Sequence, residues 1–284
     1  MGAAGEAAGT AGTMGAAVGA GGASETAGVL TIAPFNPLWL SVVAGIVLAA
    51  WLVWLAFRKR PEQVRERLVV GLCAAATVLF LLEKHWLSLD AEYLATQVGG
   101  GFDVLSELPL HLCNVNMLLM PVALLSKQRA LLAFCCLSAP LGAFMALATP
   151  LAVFSGSSLL LLRNIGYYGT HSLLVVAGLG PLTLGLFRPA FRDLLPTIAL
   201  LLAAQTSMHL VNTALRLSGA SPGANYFFTY GPENSGILEL LWGLVPVPFV
   251  YELLLLPAAL AYGSLATALI RLVQRATSRG EPKR

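Results

Sequence analysis

Residues 37–57 read PLWLSVVAGIVLAAWLVWLAF and contain no charged side chain. An α-helix rises about 1.5 Å per residue, so a run of about 20 apolar residues crosses the hydrocarbon core of a bilayer. Further apolar runs follow at short intervals, and the pattern predicts spans at 37–57, 68–89, 108–125, 130–150, 166–187, 194–217 and 247–270. The predicted fold class is therefore all-α, a polytopic bundle of about seven transmembrane helices.

The composition agrees with this prediction. Only 11% of the residues are charged and 57% are hydrophobic, whereas a soluble domain carries about 25% charged residues. A soluble protein of this composition could not cover its surface with polar groups. The cysteines Cys73, Cys113, Cys135 and Cys136 all lie in apolar runs, so we expect free buried thiols rather than a disulfide framework.

The basic residues predict the orientation of the spans. The first loop, RKRPEQVRER, carries five of them, and alternate loops and the C-terminal segment bring the total on this side to 14 of 17. The loop of residues 90–107 carries four acidic side chains and no basic one. Because basic residues concentrate on the cytoplasmic side, we predict the N-terminus outside and the C-terminus in the cytoplasm. Arginine outnumbers lysine 13 to 4 and alanine, glycine and leucine dominate, which suggests a GC-rich bacterium and hence its plasma membrane.

The chain divides into three predicted regions. Residues 1–30 form an Ala/Gly-rich tail, which lacks the positive start and apolar centre of a signal peptide and is predicted to be disordered. Residues 31–274 form the seven-helix membrane domain, and residues 275–284 form a basic cytoplasmic tail. The chain has no glycine-rich phosphate loop and no HExxH or GxSxG motif.

The histidines suggest a polar layer within the bundle. His85, His111, His171 and His209 all fall in predicted spans, within roughly 12 Å of the outer boundary at the rise of a helix. Ionisable groups inside spans usually face a protein interior or a cavity. We therefore expect the four histidines to share one layer, with hydrogen bonding between helices as the alternative role. Glu83, Lys84 and His85 are adjacent, so at least one of them must point away from the other two. We expect Lys84 to extend outward to the membrane interface.

The sixth predicted span carries a polar stripe. Gln205, His209, Asn212 and Arg216 are spaced by four, three and four residues, so they share one helix face. On the third span, Cys113 is about 200° from His111, and a histidine partner for its thiol must come from another helix. No carboxylate other than Glu252 is placed beside the histidines, so we predict no metal and no cofactor.

A family resemblance rests on the segment Glu107–Asn114, ELPLHLCN. This segment resembles a signature of the YwaF-type bacterial membrane proteins, a family that includes the eukaryotic transmembrane protein 164. YYGTH at 167–171, NYFF at 225–228, PEN at 232–234 and PVP at 246–248 agree in order and spacing, and the resemblance covers about residues 38–272. The eukaryotic member is described as a cysteine-dependent acyltransferase acting on phospholipids. In its pattern the cysteine directly precedes the histidine, whereas here Leu110 has that place and the cysteine is Cys113.

The resemblance and the polar layer together predict a lipid acyltransferase. Cys113 would be the nucleophile. His171 is the preferred base that takes its proton, and His209 is the second choice. Substrate-orienting roles are predicted for His111, Asn114, Gln205, Asn212 and Asn225. The alternatives are a transporter or channel that uses the same layer as a proton or solute path, and a non-catalytic scaffold or sensor. The expected partners are membrane lipids and not nucleic acid, and the oligomeric state stays open.

Overall fold

The computed structural model describes residues 30–97, 100–233 and 235–279, with the backbone alone for 276–279. Residues 1–29 of the predicted N-terminal tail and residues 280–284 of the predicted C-terminal tail lie outside these residues. Within them the helices are α1 (Pro37–Phe57), α2 (Glu62–Leu87), α3 (Ala91–Thr96), α4 (Leu112–Ser126), α5 (Arg129–Ala148), α6 (Leu162–Thr183), α7 (Leu194–Leu217), α8 (Gly236–Leu244), α9 (Val250–Leu253) and α10 (Leu256–Arg279). Short 3₁₀ turns occur at Ala152–Phe154, Phe191–Asp193 and Tyr226–Phe228.

The chain is an all-α polytopic bundle, as predicted. Among the described residues, five helical segments are long and apolar enough to span a bilayer: Pro37–Phe57, Glu62–Leu87, Arg129–Ala148, Phe191–Leu217 and Val250–Arg275. The 15-residue α4 is apolar but shorter. Helix α6 has 22 residues and carries polar side chains in its N-terminal half.

Helix α6 is the centre of the bundle. It packs against α1, α2 and α5, and most of its side chains are buried. Glycine permits two of these close contacts, because a Cβ on Gly166 would lie 2.5 Å from Glu83 Cβ and one on Gly178 would lie 2.7 Å from Pro140 Cδ. Small residues of this kind let helix backbones approach closely inside a membrane.

The predicted span 166–187 is displaced, because α6 begins at Leu162. Arg163 was expected in a loop, and Asn164 lies just outside the predicted bounds, but both are paired in the structure. Arg163 forms ion pairs with Asp90 at 2.6 Å and Glu92 at 2.5 Å. Asn164 Nδ2 donates to Ser157 Oγ and to the Ser158 carbonyl at 2.9 and 2.8 Å. A paired polar residue costs far less inside a helix than an unpaired one.

Two other boundaries differ from prediction for local reasons. The helix that corresponds to the predicted span 108–125 begins later than predicted, because residues 108–111 are not helical and α4 starts at Leu112. Pro109 disfavours the helical region for the residue before it, and a tight turn joins Leu110 N to the Leu108 carbonyl. The helix that corresponds to the predicted span 68–89 begins earlier than predicted, because α2 starts at Glu62 and includes a charged first turn. Hydropathy marks the apolar part of a helix and not its end.

The last predicted span, 247–270, is interrupted. Phe249 has φ of 66°, a conformation that L side chains rarely adopt, and α9 begins only after it. Pro257 has no N–H to donate, so α10 starts afresh at Leu256. The short α8 precedes this region as a separate element.

Ion pairs group the loops at two ends of the bundle. At one end, which we call the basic end, Lys127 pairs with Glu62 and Glu66, and Arg129 pairs with Asp193 at 2.7 Å. At the opposite end Arg163 holds the acidic α2–α3 connection through Asp90. This grouping matches the alternation of loops that the basic residues predicted.

The first helix is attached at that acidic end. Strand β1 (Thr31–Ile32) pairs antiparallel with β2 (Ser157–Ser158). Asn36 caps α1 by accepting from Trp39 N at 2.8 Å, with Pro37 in the first turn. Trp39 Nε1 donates to the Leu147 carbonyl at 2.7 Å. Trp39 and Ile46 are the buried side chains of α1, so the helix faces mostly outward.

Candidate functional site

Cys113 lies in the first turn of α4, at an end of the helix that has no side-chain cap. The first N–H groups of a helix have no partner within the helix. The N–H groups of Cys113 and Asn114 are among these, and the Cys113 sulfur lies in the same first turn. It also lies 3.6 Å from Asn114 Oδ1. Cys113 is partly exposed, while Cys73, Cys135 and Cys136 are buried, and all four thiols are free as predicted.

His111 precedes the helix instead of lying within it. Its backbone is extended and it occupies the N-cap position of α4. Its ring contacts Tyr226 and Phe228, with centroids 5.5 and 5.3 Å away. His111 therefore joins the start of α4 to the 3₁₀ turn that follows α7.

His171 comes from α6 and is held in one tautomer. Its Nδ1 lies 2.8 Å from the Tyr167 carbonyl. Because a carbonyl only accepts, Nδ1 carries the proton and Nε2 remains the basic atom of a neutral ring. The Tyr167 ring packs on the imidazole at 4.5 Å. His171 is within electrostatic range of His111 and Lys84, and Tyr167 is within range of Cys113. Among the described residues, no hydrogen bond joins Cys113 to a histidine.

A charged cluster lies beside these residues. Lys84 Nζ is 3.1 Å from Glu83 Oε1 and 2.8 Å from Glu107 Oε2. Tyr93 donates a hydrogen bond to Glu107. Glu83 and Lys84 are within electrostatic range of Cys113. The prediction that no carboxylate other than Glu252 stands near the histidines is therefore wrong, and Lys84 faces its partners instead of the interface.

His85 does not belong to this site. Its side chain is exposed on α2, one residue beyond Lys84. The prediction that all four histidines share one layer is wrong for His85, because α2 turns Glu83 inward and thereby turns His85 outward. Of the adjacent residues Glu83, Lys84 and His85, it is therefore His85 that points away from the other two, while Glu83 is buried.

The predicted stripe on α7 faces the protein. Gln205 and Asn212 are buried, and His209 and Arg216 are partly buried. His209 Nδ1 lies 3.2 Å from Thr229 Oγ1, and its ring stacks on Tyr230 with centroids 5.1 Å apart. Asn212 donates to the Tyr226 carbonyl at 2.8 Å and accepts from Tyr226 N at 2.9 Å. His209 and Asn212 thus contact the segment after α7.

Gln205 and Asn225 have other partners. Gln205 Nε2 donates to Glu252 Oε2 at 2.8 Å, which joins α7 to α9. Asn225 donates to the Gly231 carbonyl at 2.9 Å and to Glu233 Oε1 at 2.8 Å, and it accepts from Tyr230 N. Burial raises the pKa of Glu233, although the hydrogen bond from Asn225 opposes the shift. These contacts make Asn225 the organiser of the loop between α7 and α8.

The candidate residues thus form two neighbouring groups. The thiol group comprises Cys113, Asn114 and the charged cluster, together with Tyr167 and His171, since Cys113 packs against the apolar cluster that contains Tyr167 and the Tyr167 ring packs on His171. The loop group comprises His209, Asn212 and Asn225 with their partners. The rings of His111, Tyr226 and Phe228 connect the two groups. A family model matches residues 31–262. The chain belongs to the TMEM164 family. No curated protein and no solved structure matches it.

The TMEM164 family match includes every candidate residue and confirms the resemblance that ELPLHLC suggested. Sequence reasoning missed Glu83 as a neighbour of the thiol, and it missed Glu107 as the second partner of Lys84. A signal was present, because an acidic residue inside an apolar span is costly unless it is paired. In the described part of the chain, no three His, Cys, Asp or Glu side chains are grouped as metal ligands would be.

Proposed function

We propose that this membrane protein is a lipid acyltransferase in which Cys113 carries the acyl group. The observation that supports it most is the position of Cys113, a partly exposed thiol in the first turn of α4, where the N–H groups of Cys113 and Asn114 have no partner within the helix. The same N–H groups can hold the oxygen of an acyl carbonyl, which becomes negative when the sulfur attacks. The positive end of the helix dipole favours that charge.

The reaction has two balanced halves. The thiolate attacks the ester carbonyl of a phospholipid acyl chain, the ester C–O bond breaks, and the lysophospholipid alcohol leaves with the thiol proton. A hydroxyl of a second lysophospholipid then attacks the thioester, the C–S bond breaks, and the thiol recovers a proton. In each half a base must take a proton from one of these two atoms, the sulfur or the alcohol oxygen, and deliver it to the other.

We assign that proton to His171 Nε2. The bond between Nδ1 and the Tyr167 carbonyl leaves Nε2 able to accept. His171 shares the thiol group with Lys84 and Tyr167, whereas His209 is bound to Thr229 and stacked on Tyr230. Hydrogen bonds between a base and its nucleophile are often long before substrate binds. His209 therefore takes the secondary role that the sequence gave it.

The remaining candidates fit positioning roles. Asn114 lies against the sulfur and His111 precedes the helix, so both can orient the ester. Asn212 and Asn225 hold the loop that His111 contacts through Tyr226 and Phe228. Gln205 fixes Glu252 farther along α7.

The same proposal includes a place in the cell. The basic end carries Lys127, Arg129 and the first loop, and basic loops favour the cytoplasmic side of a plasma membrane. The thiol group then lies toward the outer leaflet, because Glu107 and the acidic α2–α3 connection are at the opposite end. Its partners are membrane lipids and not nucleic acid.

Transfer can be measured in nanodiscs with a phospholipid carrying a labelled acyl chain and an unlabelled lysophospholipid acceptor. We expect label in the acceptor, and a hydroxylamine-sensitive acyl group on Cys113 detected by mass spectrometry. Cys113→Ala should abolish both signals, while Cys73→Ala, which removes a buried thiol from α2, should retain them. Transfer that survives in the Cys113→Ala protein would refute the proposal.

A second candidate function is a proton or solute path, favoured by the charged cluster between helices. Lys84, Glu83 and Glu107 lie together near His111 and His171, and such groups mark ion paths in other membrane proteins. Proteoliposomes with an internal pH dye test it directly. A flux that persists in the Cys113→Ala protein and stops in Lys84→Met would favour this path over acyl transfer.

A further inference from the structure

A cleft of about 260 Å³ opens at the basic end of the bundle. One wall is the connection between α6 and α7, and the other is the C-terminal half of α10. The lining residues are Arg188, Pro189, Ala190, Arg271, Gln274 and Arg275. Residues 271, 274 and 275 are three and four positions apart, so they share one helix face. Arginines from two separate elements thus converge on one concavity.

The walls of the cleft are fixed relative to each other. Gln274 Nε2 donates from α10 to the carbonyls of Leu182 and Phe187, at 3.4 and 3.5 Å. Arg129 Nη2 donates to the Arg188 carbonyl at 3.0 Å. The Arg271 guanidinium lies over the Phe191 ring, 5.8 Å from its centroid. Because these hydrogen bonds and the cation–π contact hold both walls in place, the cleft requires little rearrangement to bind a ligand.

The charges of Arg188 and Arg271 are not balanced by the acid beside them. Asp193 follows the α6–α7 connection, but Arg129 Nε and Nη2 occupy its two oxygens at 2.8 and 2.7 Å. The Ala190 N–H also donates to Asp193 Oδ2 at 2.7 Å. Among the described residues, no carboxylate forms an ion pair with Arg188 or Arg271.

We propose that this cleft binds a phosphate group through Arg188 and Arg271. A guanidinium presents a planar fork of donors that matches phosphate oxygens, and a pair of them encloses the anion from two sides. The basic end lies where lipid headgroups meet water, so the phosphate can belong to an anionic lipid or to a free anion. The inference is independent of the acyltransferase proposal, because the thiol group lies toward the other end of the bundle.

The test uses the full-length protein in phosphatidylcholine nanodiscs. One arm adds phosphatidylglycerol to the nanodisc and the other adds inorganic phosphate to the buffer, and each is read as a shift in the unfolding temperature. We expect the phosphatidylglycerol arm to stabilise the wild type. In Arg188→Gln/Arg271→Gln the apparent affinity should fall about 25-fold, because each arginine contributes about 1 kcal/mol, or about fivefold. The same pattern in the phosphate arm alone supports the site and assigns it to a free anion.

Two further variants keep the test decisive. Arg58→Gln removes a charge at the same end from an arginine that lies over the Trp54 ring at 4.2 Å, and it should bind as the wild type does. Arg188→Lys/Arg271→Lys keeps the charge and loses the fork, so it should bind several-fold more weakly while folding normally. If neither arm stabilises the wild type, or if the cleft variants and Arg58→Gln respond equally, the site is refuted.

Discussion

Lys84 on α2 and Glu107 on the segment before α4 form an ion pair, with 2.8 Å between Nζ and Oε2. The same ammonium lies 3.1 Å from Glu83, which is 2% exposed. Lys84 therefore connects a buried carboxylate of the bundle to the segment that places Cys113. Since Tyr93 also donates to Glu107, the pair anchors α3 as well.

Removing this ammonium should destabilise the fold. Lys84→Met leaves Glu83 buried without its cation, and such a loss costs about 3 kcal/mol. Glu83→Gln/Lys84→Met removes both charges and should recover much of the loss. The measurement is unfolding in a denaturing detergent, followed by tryptophan fluorescence. Equal stability of the wild type and Lys84→Met would show that the pair contributes nothing.

The contact between α2 and α6 predicts the effect of one methyl group. In Gly166→Ala the new Cβ would lie 2.5 Å from Glu83 Cβ and 3.0 Å from its Cα, so the helices must separate. We expect a loss of about 1–3 kcal/mol in unfolding free energy. Gly71→Ala is the matched control on α2, because nothing lies within 4 Å of its added Cβ and alanine favours helix. A Gly166→Ala protein as stable as the Gly71→Ala protein would contradict the close packing.

Cys113 should be the first thiol to react with an alkylating probe. It is partly exposed and lies in the first turn of α4, whereas Cys73, Cys135 and Cys136 are at most 1% exposed. We expect its labelling to be roughly tenfold faster than that of the others, since reactivity follows access and thiolate stability. Peptide mass spectrometry after timed quenching gives each rate. Labelling of the four thiols at one common rate would count against a tuned site.

The His171 imidazole should assist the thiol. His171→Ala is expected to slow the labelling of Cys113 several-fold and to suppress acyl transfer, because the basic Nε2 is lost. His85→Ala, on the exposed face of α2, is the control and should change neither rate. The same two assays that follow Cys113 measure both variants.

The acidic end should respond to pH through Asp90. Burial disfavours its charge, but the Tyr93 N–H and the Arg163 guanidinium hold the pKa of Asp90 below its usual value. A lowered folded pKa means that the stabilisation is complete above the unfolded value, about 3.9, and is lost as pH falls through the folded pKa. Asp90→Asn should therefore be less stable than the wild type at pH 7, and the difference should vanish in acid.

A second substitution separates charge from capping at this residue. Asp90 also caps α3 by accepting from Tyr93 N at 3.0 Å. Asparagine can still accept that bond, whereas Asp90→Ala loses it at an additional cost of about 1 kcal/mol. Thermal unfolding of the three proteins between pH 3 and 7 gives both quantities. A gap between wild type and Asp90→Asn that does not narrow as the pH falls below about 3.9 would show that the ion pair with Arg163 is not its cause.

Hydropathy predicted the fold because the membrane imposes length and apolarity on each span. Residues 37–57 and 194–217 match α1 and α7 to the residue. Hydropathy placed the start of α6 too late, after Arg163 and Asn164. These polar residues lie inside the helix because they are paired with Asp90 and Ser158, and hydropathy does not show such pairing. It also failed after Phe249, where a positive φ and then Pro257 interrupt the last span.

The site was predicted in part. The stripe on α7 could be found from helical spacing alone, since Gln205 and Asn212 are buried. The pairing of Lys84 with Glu107 could not, because it depends on how the segment before α4 folds back onto α2. His85 was misplaced because depth along a helix says nothing about which face a residue occupies until the neighbouring helices are known.

The attachment of α1 has a consequence for synthesis. Helix α1 leaves the ribosome before the groups that hold it, because the Leu147 carbonyl and the Ser157–Ser158 strand are made more than a hundred residues later. At about 5–20 residues per second, that interval is on the order of ten seconds. With only Trp39 and Ile46 buried, α1 is apolar enough to remain alone in the bilayer during the wait. Helix α1 thus docks only after helix α5 and strand β2 have been made.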